Sequence, residues 1–181
     1  GASVNMVRLN LSEVVSSCLV VQQAAADIKT VTIIVDIDPS AELTADLDML
    51  KLVIRNLINN AVKFTLPGGD IQISSSIGPG YVRLHIMDNG VGIPMERQTD
   101  LFKLNAASTY GTSNEKGIGL GLNLCKEYTE MQNGKISFYS VPGNGTTFIL
   151  EFPEDNSQYI AASQVGNQLY METRSAQELD S

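Results

Sequence analysis

Two consecutive segments of alternating apolar and polar residues constrain the fold of this chain most strongly. In the first, isoleucines at positions 71, 73 and 77 alternate with polar residues, and in the second, Tyr81–Asp88, Val82, Leu84 and Ile86 share one face. Such alternation is typical of half-buried strands. The Gly78-Pro79-Gly80 sequence between them predicts a turn. A sheet with one apolar face needs other elements to cover that face.

The rest of the chain supplies those elements. Helical periodicity and capping residues, Asn10 or Ser12 for the first helix, predict three helices: Leu11–Ile28, Asp46–Phe64 and Leu122–Met131. Apolar or β-branched runs predict further strands: Val31–Ile37, Lys135–Val141 and Thr146–Phe152. We therefore expect a two-layer α/β sandwich, with a mixed, mostly antiparallel sheet covered on one face by three helices.

The chain is divided unequally. Residues 4–153 are expected to form one domain, Gly1–Ser3 to be a remnant of cloning, and residues 154–181 to be a polar tail or linker.

From Gly90 to Gly121 the sequence is rich in Gly, Ser, Thr and Asn. A stretch of this length without clear structure in a compact domain predicts a functional lid.

Charge and composition exclude several classes of protein. The net charge of −8 argues against a general nucleic-acid binder, which needs lysines and arginines for the phosphates. No apolar run is long enough to cross a bilayer, so we expect no direct membrane contact. The two cysteines, Cys18 and Cys125, lie among apolar residues in predicted helices and are expected to be buried free thiols.

The second predicted helix carries an unusual polar strip. At about 100° per residue, Asn60 lies about 40° from Asn56 on one side and Lys63 about 20° on the other. A solvated stripe is one interpretation of these residues. However, asparagine is a poor helix former, and Asn59 adds a third. Amide oxygens can ligate Mg²⁺, and a lysine such as Lys63 can reach phosphate oxygens.

Two glycine-rich segments have similarly open interpretations. Asp88-Asn89-Gly90-Val91-Gly92-Ile93 follows a strand, and its composition is also that of an ordinary turn. Alternatively, Asp88 accepts a hydrogen bond from an exocyclic amine, and the glycines let a ring approach the backbone. Gly117-Ile118-Gly119-Leu120-Gly121-Leu122 precedes a helix, whose amides and positive end can hold phosphates.

The order and spacing of these segments resemble the GHKL ATPases of the Bergerat fold, specifically the catalytic ATP-binding domain of sensor histidine kinases. The N box matches Asn56–Phe64, and the G1 box matches Asp88–Ile93. The F box matches Leu101–Lys103, the G2 box Gly117–Leu122 and the last glycine motif Gly143–Phe148. The resemblance covers residues from about Leu9 to Pro153, and five motifs in order make a chance match remote.

This resemblance implies a cytoplasmic domain with a site for ATP and Mg²⁺. Asp88 would recognise the adenine amine, Asn56 and Asn60 would hold Mg²⁺, and Lys63 would approach the phosphates. Phe64 and Ile93 would pack near the adenine. The remaining residues that the matched motifs assign to the nucleotide are Gly90, Gly92, Lys103, Ser108, Thr109, Lys116, Gly117, Gly119, Leu120, Gly121, Leu122 and Thr147.

The resemblance also bears on the reaction. Hydrolases of this superfamily carry a glutamate at the position of Asn56, and a neutral amide cannot act as a general base toward water. A neutral imidazole is already a nucleophile, so Asn56 favours transfer to histidine. The alternatives are a degenerate nucleotide-binding regulator without phosphotransfer and a GHKL hydrolase.

The phospho-accepting histidine is expected to lie outside this chain. The single histidine, His85, occupies the wetter face of a predicted strand and is not followed by an acidic residue. The implied partners are therefore a helical dimerisation and phosphotransfer domain, on the same or a partner chain, and the receiver domain of a response regulator.

Overall fold

The computed structural model describes residues 3–103 and 121–154. Its elements, in chain order, are β1 (Met6–Asn10), α1 (Leu11–Lys29), β2 (Thr32–Asp36), β3 (Glu42–Asp46), α2 (Leu47–Phe64), β4 (Asp70–Gly78), β5 (Tyr81–Asp88), α3 (Met95–Gln98), α4 (Leu122–Met131), β6 (Lys135–Ser140) and β7 (Thr146–Pro153). The three predicted helices and five predicted strands are all present, with ends that shift by a few residues.

Five strands form the main sheet, in the order β2-β4-β5-β7-β6. β2 pairs with β4 in parallel, and the other neighbours are antiparallel. The predicted mixed, mostly antiparallel sheet is therefore confirmed. β1 and β3 form a separate antiparallel ribbon that the sequence analysis did not predict.

The core lies between the helices and one face of the main sheet, here called the inner face. Ile73, Ile86 and Phe148 are neighbours across β4, β5 and β7 on this face, and all three are buried. α2 packs between α1 and α4 and against β5. The opposite, outer face is more exposed, as Met87 and Tyr139 illustrate. The two-layer arrangement follows from the alternation in the strands.

Polar side chains fix where the two long helices begin. Asn10 accepts a hydrogen bond from the Glu13 amide at 3.0 Å, which identifies Asn10 as the cap of α1. Asp46 accepts from the Met49 amide at 3.0 Å through Oδ1 and from the Asn5 amide at 2.8 Å through Oδ2. These backbone hydrogen bonds lower the pKa of Asp46. A capping carboxylate thus ties the ribbon to the start of α2.

A buried lysine fixes where α2 ends. Lys29 Nζ donates to the carbonyl oxygens of Val62 at 2.9 Å and Lys63 at 3.0 Å. A cation at the C-terminus of a helix is favourable to the helix dipole.

Lys29→Met should lower the free energy of unfolding by about 1.5–3 kcal/mol, the range for hydrogen bonds to charged groups. Urea denaturation measures this change. Lys126→Met, on an exposed part of α4, is the control and should change stability by less than about 0.5 kcal/mol.

Some predictions concern regions that the structure does not describe. The central part of the predicted lid, residues 104–120, and the predicted tail from residue 155 onward lie outside the described residues. Among the helices of the described ranges, none is long and apolar enough to span a bilayer.

Candidate nucleotide-binding site

The polar strip of α2 is largely enclosed. Asn56 and Lys63 are buried, whereas Asn60 is half-buried. Asn56 Nδ2 donates a hydrogen bond to Cys125 Sγ at 3.1 Å, which joins the strip to the first turns of α4. Lys63 Nζ lies 5.1 Å from the ring centroid of the half-buried Phe64. A fully solvated stripe would leave these groups exposed, so the burial of Asn56 and Lys63 argues against that interpretation.

Asp88 ends β5 with its carboxylate on the inner face. Its Oδ1 accepts hydrogen bonds from the Gly90 amide at 2.9 Å and the Thr146 amide at 3.3 Å. Within the described ranges, no other group donates a hydrogen bond to this carboxylate. A carboxylate has two acceptor oxygens, and no residue of the described ranges donates to Oδ2.

Burial gives this carboxylate an unusual affinity for protons. Removal from water raises the pKa of Asp88 to about 6, and the hydrogen bonds from Gly90 and Thr146 only partly oppose this rise. The side chain is therefore mostly ionised at neutral pH yet costly to keep buried. Strongly raised carboxyl pKa values of this kind are enriched in functional sites.

The turn after Asp88 is packed tightly against the chain's own backbone. A Cβ atom at Gly90 would overlap the carbonyl oxygen of Phe64, and one at Gly92 would overlap that of Val141. Gly92 also has a positive φ of 71°. The amide of the half-buried Ile93 donates to Ser140 Oγ at 2.9 Å. Close backbone packing within the protein therefore requires these two glycines, whether or not they also approach a ligand.

The last glycine motif contacts Asp88 through Thr146, whose amide donates a hydrogen bond to the carboxylate. Thr146, not Thr147, pairs with Asp88 across the strands, and its hydroxyl lies 2.9 Å from Ser140 Oγ. Sequence reasoning chose Thr147, which the structure places on the outer face, away from Asn56 and Lys63. Thr146 shares its face of β7 with Phe148 and Leu150.

A shallow cavity of about 370 Å³ lies at this end of the outer face. Thr147 lines it together with Ile34, Met87 and Tyr139, and Asp88 and Thr146 also contribute to its lining at the end of the sheet. The first four of these side chains are separated by the sheet from the polar strip of α2. The cavity is therefore distinct from the space around Asn56 and Lys63.

The F box anchors the chain after α3. Phe102 packs edge-on against Phe138 of β6, with ring centroids 5.7 Å apart. Lys103, by contrast, is exposed and forms an ion pair with Asp100 at 2.7 Å. No described contact brings Lys103 to the α2 strip.

The G2 box is described only at its end. Gly121 precedes α4, and its carbonyl oxygen accepts from the Leu124 and Cys125 amides. Leu122 is half-buried against the core. The remaining candidates of the lid and G2 box lie outside the described residues: Ser108, Thr109, Lys116, Gly117, Gly119 and Leu120.

His85 lies on the outer face, as predicted. Its Nε2 is 2.9 Å from Ser76 Oγ, and burial together with the nearby Arg83 lowers its pKa. A neutral, hydrogen-bonded imidazole on the far side of the sheet has no contact with the candidate site.

Comparison with known families agrees with this geometry. The family described as histidine kinase-, DNA gyrase B-, and HSP90-like ATPase matches residues 45–156. The sensor protein EvgS of Escherichia coli (strain K12) is 38% identical over 133 residues, which cover 71% of this chain and 10% of that protein. The sensor protein SrrB of Staphylococcus aureus (strain MRSA252) is 39% identical over 115 residues, covering 61% of this chain and 19% of SrrB. The chain thus spans only a small part of these relatives.

Solved structures show the same architecture. The catalytic domain of histidine kinase ThkA superposes with a TM-score of 0.73 at 26% identity, covering 83% of this chain and 96% of that one. A second structure holds ThkA in complex with the response regulator protein TrrA, and its kinase has a TM-score of 0.68 at 26% identity, covering 84% of this chain and 42% of ThkA. The chain therefore belongs to the histidine kinase-, DNA gyrase B-, and HSP90-like ATPase family, as the GHKL ATPase domain of a sensor histidine kinase.

Proposed function

We propose that this domain binds ATP with Mg²⁺ and supplies the γ-phosphate that phosphorylates a histidine on a separate helical domain, as the first step of two-component signalling. The observation that carries the proposal is the buried Asp88 carboxylate, in which protein amides occupy Oδ1 and Oδ2 remains for a ligand. A buried carboxylate with a raised pKa is costly to a fold, and a bound amine would offset that cost.

The described residues fit adenine at this position. Asp88 Oδ2 accepts a hydrogen bond from the exocyclic amine of adenine, whereas guanine presents a carbonyl oxygen at the equivalent place. Ile93 and Phe64 are half-buried and provide apolar surface for a ring. The Val91 amide donates to the Phe64 carbonyl at 3.2 Å, which holds the turn after Asp88 against the end of α2.

The polar strip of α2 fits the metal and the phosphates. Asn56 and Asn60 present neutral oxygen ligands of the kind Mg²⁺ accepts. Lys63 contributes the positive charge that an acidic protein needs locally. When bound at these residues, Mg²⁺ would supply positive charge to the phosphates. Asn56 is an amide and therefore orients ligands without activating water, which favours transfer over hydrolysis.

The phosphate acceptor then comes from another domain. His85 is neutral, bonded to Ser76 and on the outer face of the sheet. The proposed acceptor is a histidine on a helical dimerisation domain, and the receiver domain of a response regulator takes the phosphoryl group afterwards. ThkA, a structural neighbour, has been solved with such a regulator.

Calorimetric titration tests the first part of this proposal. We expect saturable binding of ATP that strengthens with Mg²⁺ and is much weaker for GTP. Transfer of radiolabelled phosphate to an added acceptor domain tests the second part. A folded chain that binds no ATP at millimolar concentration would refute the proposal. Binding without transfer to the acceptor domains of relatives would indicate a regulatory nucleotide-binding module, and steady release of free phosphate would indicate a hydrolase.

The pH dependence of binding provides a further prediction. Adenine binding requires the ionised form of Asp88, whose pKa is about 6 in the free protein. The affinity for ATP should therefore be constant above pH 7 and fall as the pH drops below 6, by up to about tenfold per pH unit. Calorimetry between pH 5 and 8 measures this. Asp88→Asn serves as the control, because titration of the ATP phosphates affects both proteins and only wild type should show the additional loss.

A further inference from the structure

The contact between Asn56 and Cys125 joins α2 to α4 at one of the proposed metal ligands. Asn56 lies in the middle of α2, and Cys125 lies in the first turns of α4, directly after the G2 box. The sulfur is fully buried, and it accepts a hydrogen bond from Asn56 Nδ2 at 3.1 Å. The residues are 69 positions apart in the chain, so the contact depends on the docking of the two helices.

Other hydrogen bonds hold the cysteine in place. Gln132, fully buried at the end of α4, accepts from the Asp46 amide at 3.1 Å and donates to the Tyr128 carbonyl at 2.8 Å. Thr129 Oγ1 donates to the Cys125 carbonyl oxygen at 2.6 Å. α4 is thereby tied to α2 at both ends. These hydrogen bonds keep the Cys125 thiol in a fixed position beside Asn56.

An asparagine amide has a donor end and an acceptor end, and only the oxygen ligates Mg²⁺. A half-turn of the side chain would exchange the two ends and present an NH₂ group to the metal. Cys125 Sγ is fully buried and occupies the position of the acceptor beside the NH₂ end of Asn56. A neutral sulfur can accept a hydrogen bond from the NH₂ group without carrying a charge that would compete for the metal.

We propose that Cys125 is a positioning residue: its sulfur holds the Asn56 NH₂ group and thereby directs Asn56 Oδ1 to the Mg²⁺ of the bound nucleotide. This inference rests on the proposed function, since it gives Asn56 a metal to bind. In this proposal α4 also orients Asn56, a metal-ligating residue on the neighbouring helix α2.

The test compares Cys125→Val, which keeps the size but removes the acceptor, with Cys125→Ser, which keeps an acceptor. Cys18→Val is the matched control, because Cys18 is equally buried but lies on α1, with its sulfur 3.9 Å from the Lys51 carbonyl oxygen. ATP is titrated by calorimetry in Mg²⁺ and in EDTA. The side-chain amide signal of Asn56, assigned by its loss in Asn56→Ala, is recorded by NMR in the free protein.

We expect Cys125→Val to weaken ATP binding about five- to tenfold in Mg²⁺, as for loss of one hydrogen bond, and to leave binding in EDTA unchanged. Its Asn56 amide signal should move, while Cys125→Ser and Cys18→Val should stay close to wild type in both measurements. Equal losses of ATP affinity in Mg²⁺ and in EDTA would overturn the inference in favour of simple packing, and so would an Asn56 amide signal that does not move.

If the wild-type protein bound no ATP, the proposed function would fail, and the proposed role of Cys125 at the metal would fail with it. The amide signal would then still show separately whether the thiol holds Asn56.

Discussion

Replacing Asp88 with asparagine is expected to weaken ATP binding by about 1.5–3 kcal/mol, a loss of roughly ten- to hundredfold. The substituted amide can still accept from the Gly90 and Thr146 amides through its oxygen. Its other end then presents an NH₂ group to the NH₂ group of adenine. Two donors face each other, so the hydrogen bond that recognises adenine is lost. Calorimetric titration with ATP at pH 7.5 measures the loss.

The matched control is Asp70→Asn, which removes the same charge from an exposed carboxylate at the start of β4. If net charge alone governed affinity, both substitutions would strengthen binding of the anionic nucleotide. We expect Asp70→Asn to stay within about twofold of wild type, as is usual for exposed charges. An Asp88→Asn protein that binds ATP as tightly as wild type would show that Asp88 does not recognise adenine.

Asp88→Asn should also change how stability depends on pH. The pKa of Asp88 is raised from 3.8 to about 6 in the folded protein, so the folded state holds more protons than the unfolded state between these values. Stability therefore decreases as the pH rises through this window, by ~3 kcal/mol at most, and levels off above it. The asparagine variant lacks this component, which urea denaturation at pH 4.5 and 7 would reveal.

The second large effect is expected at Gly145. This residue has a φ of 89°, and a Cβ atom there would overlap the carbonyl oxygen of Asp88. Gly145→Ala combines a left-handed backbone, which costs roughly 1–2 kcal/mol, with a backbone clash. The total should exceed about 4 kcal/mol, enough to unfold a protein of ordinary stability. Thermal and urea denaturation measure the change.

Gly143→Ala separates the two contributions. Gly143 has a similar φ of 83°, but no atom lies within 4 Å of the position its Cβ would take. We expect it to cost only the backbone term of roughly 1–2 kcal/mol and to leave ATP affinity unchanged. If both alanine variants were equally stable, the close approach between Gly145 and Asp88 would not be important to the fold.

Much of the fold could be predicted from local periodicity. α2 has a long apolar stripe, β4 and β5 alternate cleanly, and glycine or proline marks their ends, so each carries its own signal. β1 and β3 have only five residues each and are stabilised by pairing with one another across more than thirty positions. Strands this short have too few residues to display a period, and β1 and β3 also lack the β-branched run from which β2 was predicted.

The candidate site was predictable in its motifs but not in its contacts. The sequence places Asn56, Lys63 and Asp88 in recognisable segments, because the residues within each motif lie close together in the chain. It does not reveal that Cys125 meets Asn56, since that contact depends on how α4 packs against α2. Nor does it distinguish glycines required by the protein's own backbone, such as Gly90, from glycines required by a ligand. Only the three-dimensional packing separates these two requirements.

The attachment of α4 at both of its ends has a mechanical consequence. Gln132 joins the end of α4 to Asp46, and Cys125 joins its beginning to Asn56 in the middle of α2. Two separated points of attachment resist both rotation and sliding of one helix against the other, whereas a single contact resists less. We therefore expect α2 and α4 to move as one rigid unit whenever the domain changes position.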